Sequence, residues 1–178
     1  MREHALKDGR VLRLRPPRLE DAGLLVEFPK KIGAETDFLL CDKNGIPGLD
    51  IEGERAYIQS TLDAPNTAMF LGFIEDELAA LCDVRAEGRP RVAHNAQLSV
   101  AVLEKYWHIG VGSILMETMI DFARATGVLE NLWLDLRADN RRALALYERF
   151  GFQAAGRLSR RIRVRGEYYD ALIMELAL

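Results

Sequence analysis

The segment YWHIGVGSILMETMI, residues 106–120, joins a glycine pair to the start of a helical pattern. Gly110 and Gly112 sit one residue apart, and from Val111 onward apolar residues recur three and four positions apart until Gly127. This spacing predicts an amphipathic helix that ends at Gly127. The first turn of a helix leaves backbone N–H groups unpaired, and glycines allow an anion to approach them closely. The segment therefore predicts a helix whose N-terminus can bind a phosphate group.

Two other interpretations of the glycine pair remain open at this point. The dinucleotide-binding fingerprint needs G-x-G-x-x-G, but Leu115 occupies the third glycine position, and the chain is too short for two mononucleotide-binding halves. The two glycines could also serve only to make a tight turn before a core helix. The residues around the pair must decide between these interpretations.

Length and charge limit the classes of protein that the chain can represent. With 178 residues, 49% of them hydrophobic, it can bury one sizeable core, so we expect a single domain over residues 1–178. A formal net charge of -3 gives no general attraction to nucleic acid or to an anionic membrane surface. Cys41 and Cys82 form no CxxC motif, and no His cluster has metal-ligand spacing, so we expect neither a disulfide framework nor a metal site. No stretch approaches the ~20 apolar residues of a membrane span, and we expect a cytoplasmic protein.

The first half of the chain reads as a strand, two helices and a strand pair. RVLRLRPP alternates apolar and basic residues before a double proline, and a helix should follow until Pro29 and Gly33 weaken it. A long loop rich in Gly, Pro and Asp then reaches Asp50, which can cap a second helix through about Leu62. AMFLGFI and LAALCDV predict two strands around the acidic turn at residues 75–77.

The second half alternates strands and helices and closes with a strand pair. AHNAQLSVAV predicts a strand before the glycine helix, and NLWLDLRADN predicts another after it. Asn140 and Gly151 bracket a further helix, and the tail predicts two strands joined near residues 165–167. The order indicates a mixed α/β chain.

Three C-terminal segments, taken together, resemble the GNAT superfamily of acetyl-CoA-dependent N-acetyltransferases. They are YWHIGVGSIL, LDLRADNRRALALYERFGF and GRLSRRIRVRGEYYDALIMEL, and LRLRPPRLEDAGLL is a weaker N-terminal match. The ending is most similar to the branch that contains ribosomal-protein, polyamine and small-molecule acetyltransferases. The resemblance implies a GNAT fold, with a central, mostly antiparallel twisted sheet of about seven strands flanked by about four helices.

The resemblance also implies where acetyl-CoA binds. The diphosphate would lie on the backbone of residues 109–113, that is Ile109, Gly110, Val111, Gly112 and Ser113. The pantetheine arm would lie beside the strand Gln97 to Val102, against Ser99, Val100, Ala101 and Val102, with a backbone N–H near Val102 facing the thioester oxygen. Asn140 resembles a residue that contacts the cofactor, although a plain N-cap role is equally consistent. Trp107 stands where the family usually has Gln or Arg, and the resemblance implies that backbone amides would hold the diphosphate at this loop.

Transfer of an acetyl group from a thioester to an amine needs a base, an oxyanion partner and an acid for the leaving thiolate. Tyr147 matches the family tyrosine that protonates the thiolate, although its helical spacing alone would favour core packing. Neither cysteine lies in a matched motif, which indicates direct transfer without an acyl-enzyme.

The base and the acceptor site are predicted from position alone. Glu104 lies just beyond the cofactor strand and His94 near its start, and Glu104 is favoured because it is closer to the thioester. Glu35 and Asp37, in the long loop, could bind a cationic acceptor, although solvated loop carboxylates are the ordinary interpretation. In the tail, alternation places Arg161, Arg163 and Arg165 opposite Ile162 and Val164, so this basic run predicts a solvated strand face rather than a nucleic-acid site.

These observations favour an acetyl-CoA-dependent enzyme that acetylates a primary amine of a small molecule. Two alternatives remain: a protein N-terminal acetyltransferase of the ribosomal-protein type, and a non-catalytic module that binds acyl-CoA. We expect no metal and no nucleic-acid or membrane partner, and we leave a homodimer open.

Overall fold

Eight strands form a single sheet in the computed structural model, which describes residues 2–178. The strands are β1 (Arg2–Ala5), β2 (Val11–Arg15), β3 (Ala68–Ile74), β4 (Glu77–Ala86), β5 (Asn95–Val102), β6 (Asn131–Arg137), β7 (Gln153–Val164) and β8 (Glu167–Ala177). Their spatial order is β1-β2-β3-β4-β5-β6-β8-β7. Neighbouring strands are antiparallel except for β5 and β6, which run parallel. The expected mixed, mostly antiparallel sheet is confirmed.

Four α-helices connect these strands: α1 (Ala22–Glu35), α2 (Ile51–Asp63), α3 (Val111–Thr126) and α4 (Arg141–Arg149). The predicted caps determine where three of them begin or end. The Asp50 carboxylate accepts the Gly53 N–H at 2.7 Å, and the Asn140 side chain accepts the Ala143 N–H at 3.2 Å. Gly127 ends α3 in a left-handed conformation. Side-chain capping and glycine are the local signals that such helix ends require.

The helices lie on both faces of the sheet. Phe122 of α3 packs edge-on against Phe70 of β3, with ring centroids 6.1 Å apart. Phe70 pairs in register with Cys82, so the next residue of β4, Asp83, points to the opposite face. Burial, and next the charge of Asp83, raise the pKa of Tyr57 on α2, which indicates that α2 lies on that opposite face. The sheet is therefore covered by α2 on one side and by α3 on the other.

The core lies along the middle strands and the helix faces that cover them. Leu71, Val84, Leu132 and Leu134 are buried in the strands, and Leu115, Met116 and Met119 are buried on α3. Burial of such side chains is the main source of folding free energy. The parallel pair β5 and β6 is held in the centre of the sheet by this packing.

Helix α1 is longer than its sequence indicates. Pro29 and Gly33 were expected to weaken it, but the helix continues to Glu35. A β-carbon at Gly33 would lie 2.3 Å from the Asp42 carbonyl oxygen, so the glycine permits the long loop to cross the helix closely. The prediction was wrong here because a tertiary contact requires the glycine. The structure also adds β1, a strand that the sequence did not predict.

The tail strands agree with the predicted alternation. Ile162 is buried, while Arg161, Arg163 and Arg165 are exposed. Among residues 2–178, no helix is both long and apolar enough to cross a membrane. Within the same described range, no group of three or more His, Cys, Asp or Glu side chains could hold a metal ion.

Candidate active site

Strands β5 and β6 diverge after only three paired residues. Residues 95–97 pair with residues 131–133. Beyond them, β5 continues to Val102 and β6 to Arg137, but these two strands no longer pair with each other. Consequently Ser99, Val100, Ala101 and Val102 are partly exposed, although β5 lies in the middle of the sheet. The edge of β5 that faces β6 therefore offers backbone N–H and C=O groups to an extended ligand.

The glycine pair lies at the start of α3, where the chain leaves this groove. Gly110 has a φ of 105°, a left-handed conformation that favours glycine. The backbone N–H groups of residues 108–112 donate to no atom of residues 2–178. Together with the positive end of the helix dipole, these donors form a site for an anion.

Basic residues from two other elements adjoin the glycine loop. The turn between β1 and β2 contacts it, since the Lys7 N–H donates to the Ile109 carbonyl at 3.1 Å. From α4, Arg149 donates to the Ser113 hydroxyl at 2.5 Å. Gly112 also lies under α4, because a β-carbon there would be 3.2 Å from Leu146 Cδ2. The loop is thus fixed from both sides and carries positive charge next to its free amides.

Trp107 bridges the two sides of the groove. Its indole N–H donates to the Val102 carbonyl at 2.7 Å, at the end of β5. The Arg142 guanidinium, on α4, lies 3.1 Å from the centre of the indole ring. The residue that departs from the usual Gln or Arg therefore ties the end of β5 to α4.

Removal of the indole hydrogen bond measures how much this contact contributes to the stability of the fold. We expect Trp107→Phe, which keeps an aromatic ring for Arg142, to lower the free energy of unfolding by about 1 kcal/mol. Urea unfolding of the wild type and the variant measures the difference. Trp133→Phe is the matched control, because the Trp133 indole donates no hydrogen bond to the described residues. Equal losses in both variants would show that ring size, not this hydrogen bond, is responsible.

Tyr147 lies on α4 and is 8% exposed, with its ring tilted against Phe152 at 6.0 Å between centroids. Burial raises the pKa of Tyr147 to about 12, with a further upward contribution from Asp135 and a downward one from Arg142. The phenol therefore stays protonated near neutral pH. The structure thus brings together Tyr147 and Asp135, a carboxylate at the diverging end of β6.

Asp135 is a candidate site residue that the sequence did not suggest. It belongs to a row of side-chain hydrogen bonds across three strands, in which Arg85 donates to Gln97 Oε1 at 3.3 Å and Gln97 Nε2 donates to Asp135 Oδ1 at 3.3 Å. A signal was present in LWLDLR, where Leu132, Leu134 and Leu136 occupy one face and leave Trp133, Asp135 and Arg137 on the other. A polar residue between two apolar ones on a central strand indicates a site at that position.

The structure separates the two bases that the sequence suggested. His94 is exposed at the start of β5, eight residues before Val102, or about 26 Å along an extended strand. Glu104 is exposed just after the strand, and its backbone N–H is bound by the Glu35 carboxylate at 2.8 Å. Glu104 also lies within electrostatic range of Arg142. Of the two residues, only Glu104 is near the groove.

Glu35 and Asp37 attach the long loop to the site. Besides the Glu35 contact, the Asp37 carboxylate pairs with Arg165 at 3.1 Å, and its backbone carbonyl accepts from Arg137 at 3.2 Å. The Arg137 guanidinium stacks between the rings of Phe38 and Tyr169, at 4.4 Å and 4.0 Å from their centroids. The loop at residues 36–50 is therefore fixed over the ends of β5 and β6. Both carboxylates have partners within the protein, so their predicted contact with an acceptor remains a prediction.

Asn140, expected to contact the cofactor or to cap α4, is 8% exposed and caps the helix. The capping role is confirmed, and the cofactor contact remains a prediction. Its place directly after β6 puts the start of α4 at the open end of the groove.

Comparison with known proteins gives a consistent family assignment. Residues 37–152 match the model of the acetyltransferase (GNAT) family. The crystal structure of a GNAT-family acetyltransferase from Streptococcus pneumoniae is 30% identical, with a TM-score of 0.89 over 94% of this chain and 99% of that one. An acetyltransferase from Salmonella typhimurium, solved with its cofactor acetyl-CoA, has a TM-score of 0.80 over 94% of both chains. At 16% identity it shows the fold alone.

Two curated relatives differ in the acceptor that their names give. An L-amino acid N-acetyltransferase of Escherichia coli (strain K12) is 27% identical over 63% of this chain and 69% of that protein. A ribosomal protein bS18-alanine N-acetyltransferase of Salmonella typhimurium (strain LT2) is 38% identical over 44% of this chain. This second match spans about half of the relative's length, 52%.

Proposed function

We propose, from the premise that this chain belongs to the acetyltransferase (GNAT) family, that it transfers an acetyl group from acetyl-CoA directly to a primary amine of a small molecule. The observation that carries the proposal is the groove between the diverging strands β5 and β6, which ends at the unpaired amides of the glycine loop. Such a groove accepts an extended arm along its strand edge and a diphosphate at its helix end.

Acetyl-CoA supplies the acetyl group as a thioester, whose carbonyl carbon is open to attack by a neutral amine. The chain's own groups fit this ligand. The amides of residues 108–112 can bind the diphosphate, and the free edge of Ser99 to Val102 can pair with the amides of the arm. A backbone N–H near Val102 would stabilise the negative charge that develops on the carbonyl oxygen.

Two side chains account for the protons. Asp135 removes a proton from the attacking amine, directly or through a water molecule, and Tyr147 donates a hydrogen bond and then a proton to the departing sulfur. The new bond is N–C, the bond broken is C–S, and the proton lost by the amine is balanced by the one gained by the thiolate. We place the base at Asp135 rather than at Glu104, because Asp135 acts on Tyr147 electrostatically and lies on the diverging strand.

Neither cysteine supports an acyl-enzyme route. Cys82 is buried in β4, and burial raises the pKa of its thiol far above the neutral range. Burial also raises the pKa of the half-buried Cys41. A thiol that stays protonated is a weak nucleophile, which supports direct transfer.

The small-molecule acceptor is supported by the loop at residues 36–50, which is fixed over the open strand ends through Arg137 and Arg165. We expect a loop in this position to restrict the approach of a peptide more than that of a small amine. The protein-acceptor alternative rests on the bS18-alanine acetyltransferase likeness. A panel of amino acids, polyamines, aminoglycosides and N-terminal peptides, assayed by release of free CoA, distinguishes the small-molecule acceptor from the protein acceptor. Turnover of peptides alone would contradict the small-molecule proposal.

The cofactor site can be tested without an acceptor. Acetyl-CoA at about a hundred times its dissociation constant should stabilise the wild type by roughly 2.7 kcal/mol, measured as a thermal shift. In Gly112→Glu, a carboxylate beside the amides should repel the diphosphate and abolish the shift. Gly88→Glu is the control, since a β-carbon at Gly88 meets nothing within 4 Å. An undiminished shift in Gly112→Glu would place the cofactor elsewhere.

A further inference from the structure

Residues 35–38, where α1 passes into the long loop, form a strap across the open ends of β5 and β6. The Glu35 carboxylate accepts a hydrogen bond from the backbone N–H of Glu104, just after β5, at 2.8 Å. The backbone carbonyl of Asp37 accepts one from Arg137, the last residue of β6, at 3.2 Å. Two residues of chain span at most about 7 Å. The strap therefore links the far ends of the two strands that diverge in the groove.

Arg137 holds the strap through both the edge and the faces of its guanidinium group. At the edge, Nε and Nη2 donate to the two oxygens of Asp139 at 2.7 and 3.0 Å, and Nη1 donates to the Asp37 carbonyl. On the faces, the ring centroids of Phe38 and Tyr169 lie 4.4 and 4.0 Å from the guanidinium carbon. Arg137 is 8% exposed, so these contacts are shielded from water. A planar fork of donors that also stacks on aromatic rings is a property of arginine and not of lysine.

A second contact secures the strap from the solvent side. The Asp37 carboxylate pairs with Arg165, in the turn between β7 and β8, at 3.1 Å. The Arg165 side chain is 82% exposed, and an exposed ion pair contributes little. Arg137 is therefore the main attachment of the strap, and Arg165 is an accessory one.

The strap lies next to the proposed base. Asp135 and Arg137 are two residues apart on β6, so their side chains project from the same face of the sheet, about 7 Å apart along the strand. Pairing of β6 with β5 ends at Trp133, and the strap lies about 13 Å farther along the strand. These two features bound the opening beside Asp135. An opening of this length is sufficient for a small amine, whereas a peptide that lies along β6 would meet the strap.

We propose that Arg137 is a positioning residue that determines acceptor specificity: it keeps the strap closed, so that a small amine reaches Asp135 and a peptide does not. This inference rests on the proposed function. The guanidinium is occupied by Asp139, by the Asp37 carbonyl and by two rings, so Arg137 acts through the strap and not on the acceptor. Its loss should widen the range of acceptors.

Calorimetric titration of the CoA-saturated protein tests the inference by binding alone. The probes are L-alaninamide and a hexapeptide amide that begins with alanine, because the two present the same amine and differ in length. We expect the wild type to bind alaninamide more tightly than the peptide. Arg137→Lys should reduce the ratio of the two affinities by about tenfold, which corresponds to about 1.4 kcal/mol of lost discrimination. Its affinity for acetyl-CoA should stay at the wild-type value.

Arg165→Gln is a second variant that is safe for folding, because the side chain is exposed. It should change the ratio in the same direction, by up to about fivefold. Arg161→Gln is the matched control: it removes the same charge from an exposed position of β7, but the Asp37 carboxylate pairs with Arg165 and not with Arg161. It should keep the wild-type ratio.

The rate at which the Cys41 thiol reacts with dithionitrobenzoate reports whether the strap opens. Cys41 lies three residues beyond the strap and is half-buried, whereas Cys82 is buried in the core. Arg137→Lys should increase the rate of reaction, and Arg161→Gln should leave it unchanged.

Three results would each overturn the inference: the wild type binds the peptide as tightly as alaninamide, it binds neither, or the affinity ratio in Arg137→Lys is that of the wild type, whatever the reactivity of Cys41. A loss of acetyl-CoA affinity as large as the change in the ratio would also overturn it, because a merely structural role predicts that loss. Release of CoA from acetyl-CoA with the same probes tests the proposed function separately. A ratio that changes as expected without turnover would contradict the enzyme assignment and leave the role of Arg137 standing.

Discussion

Replacement of Tyr147 by phenylalanine is expected to lower kcat by about 10²- to 10⁴-fold, the usual contribution of a general acid or base. The change removes one oxygen and keeps the ring that packs against Phe152. Within the described residues the hydroxyl makes no hydrogen bond that folding would lose. Affinity for acetyl-CoA and the free energy of unfolding should therefore stay close to those of the wild type, and the loss should appear in turnover.

The control for this variant is Tyr168→Phe, which makes the same chemical change at an exposed residue of β8. It should turn over at the wild-type rate. Because the pKa of Tyr147 is raised to about 12, the phenol keeps its proton throughout the neutral and mildly alkaline range. A fall in the wild-type rate between pH 8 and 10 therefore belongs to another group. Wild-type turnover by Tyr147→Phe would reduce the residue to a packing role.

The elements that could be predicted from the sequence are those specified by local chemistry. Asp50 and Asn140 carry the side-chain oxygens that cap α2 and α4, and Gly127 permits the left-handed end of α3. The turn between β7 and β8 was predicted near residues 165–167, where Arg165 and Gly166 have positive φ. Such signals act over a few residues, so a single sequence is sufficient to find them.

Elements specified by tertiary contacts were not predicted. Strand β1 is mostly exposed and lacks alternation of apolar residues, so only its pairing with β2 defines it. Gly33 does not end α1, because its missing side chain serves the approach of Asp42. In both places the deciding partner is distant in sequence.

The candidate site divides in the same way. The glycine loop was predicted from its motif and spacing, and Tyr147 from the resemblance to the family, because both lie on local elements that a resemblance can align. Asp135 becomes a candidate only once the structure shows that β5 diverges from β6 beside it. When strand register and helix packing bring residues together, the sequence shows at most a polar residue within an apolar stretch.

The identity of the base is the remaining chemical question. An alkyl amine with a pKa near ~10.4 is mostly cationic at neutral pH. Transfer therefore needs a group within hydrogen-bond reach of the amine that removes its proton. Position favours Asp135, which lies on the groove side of β6 and acts on Tyr147, over the exposed Glu104. His94 lies at the far end of β5.

We therefore expect Asp135→Asn to lower kcat by about 10²- to 10⁴-fold, because the amide cannot accept the proton. Glu104→Gln, the candidate that the sequence favoured, should have a smaller effect, and His94→Gln should have none. Profiles of kcat/KM against pH for the three variants measure this. A large loss in Glu104→Gln alone would return the role to Glu104. Normal profiles in all three variants would mean that the acceptor reaches the thioester already deprotonated by solvent, and no side chain of the groove would then be the base.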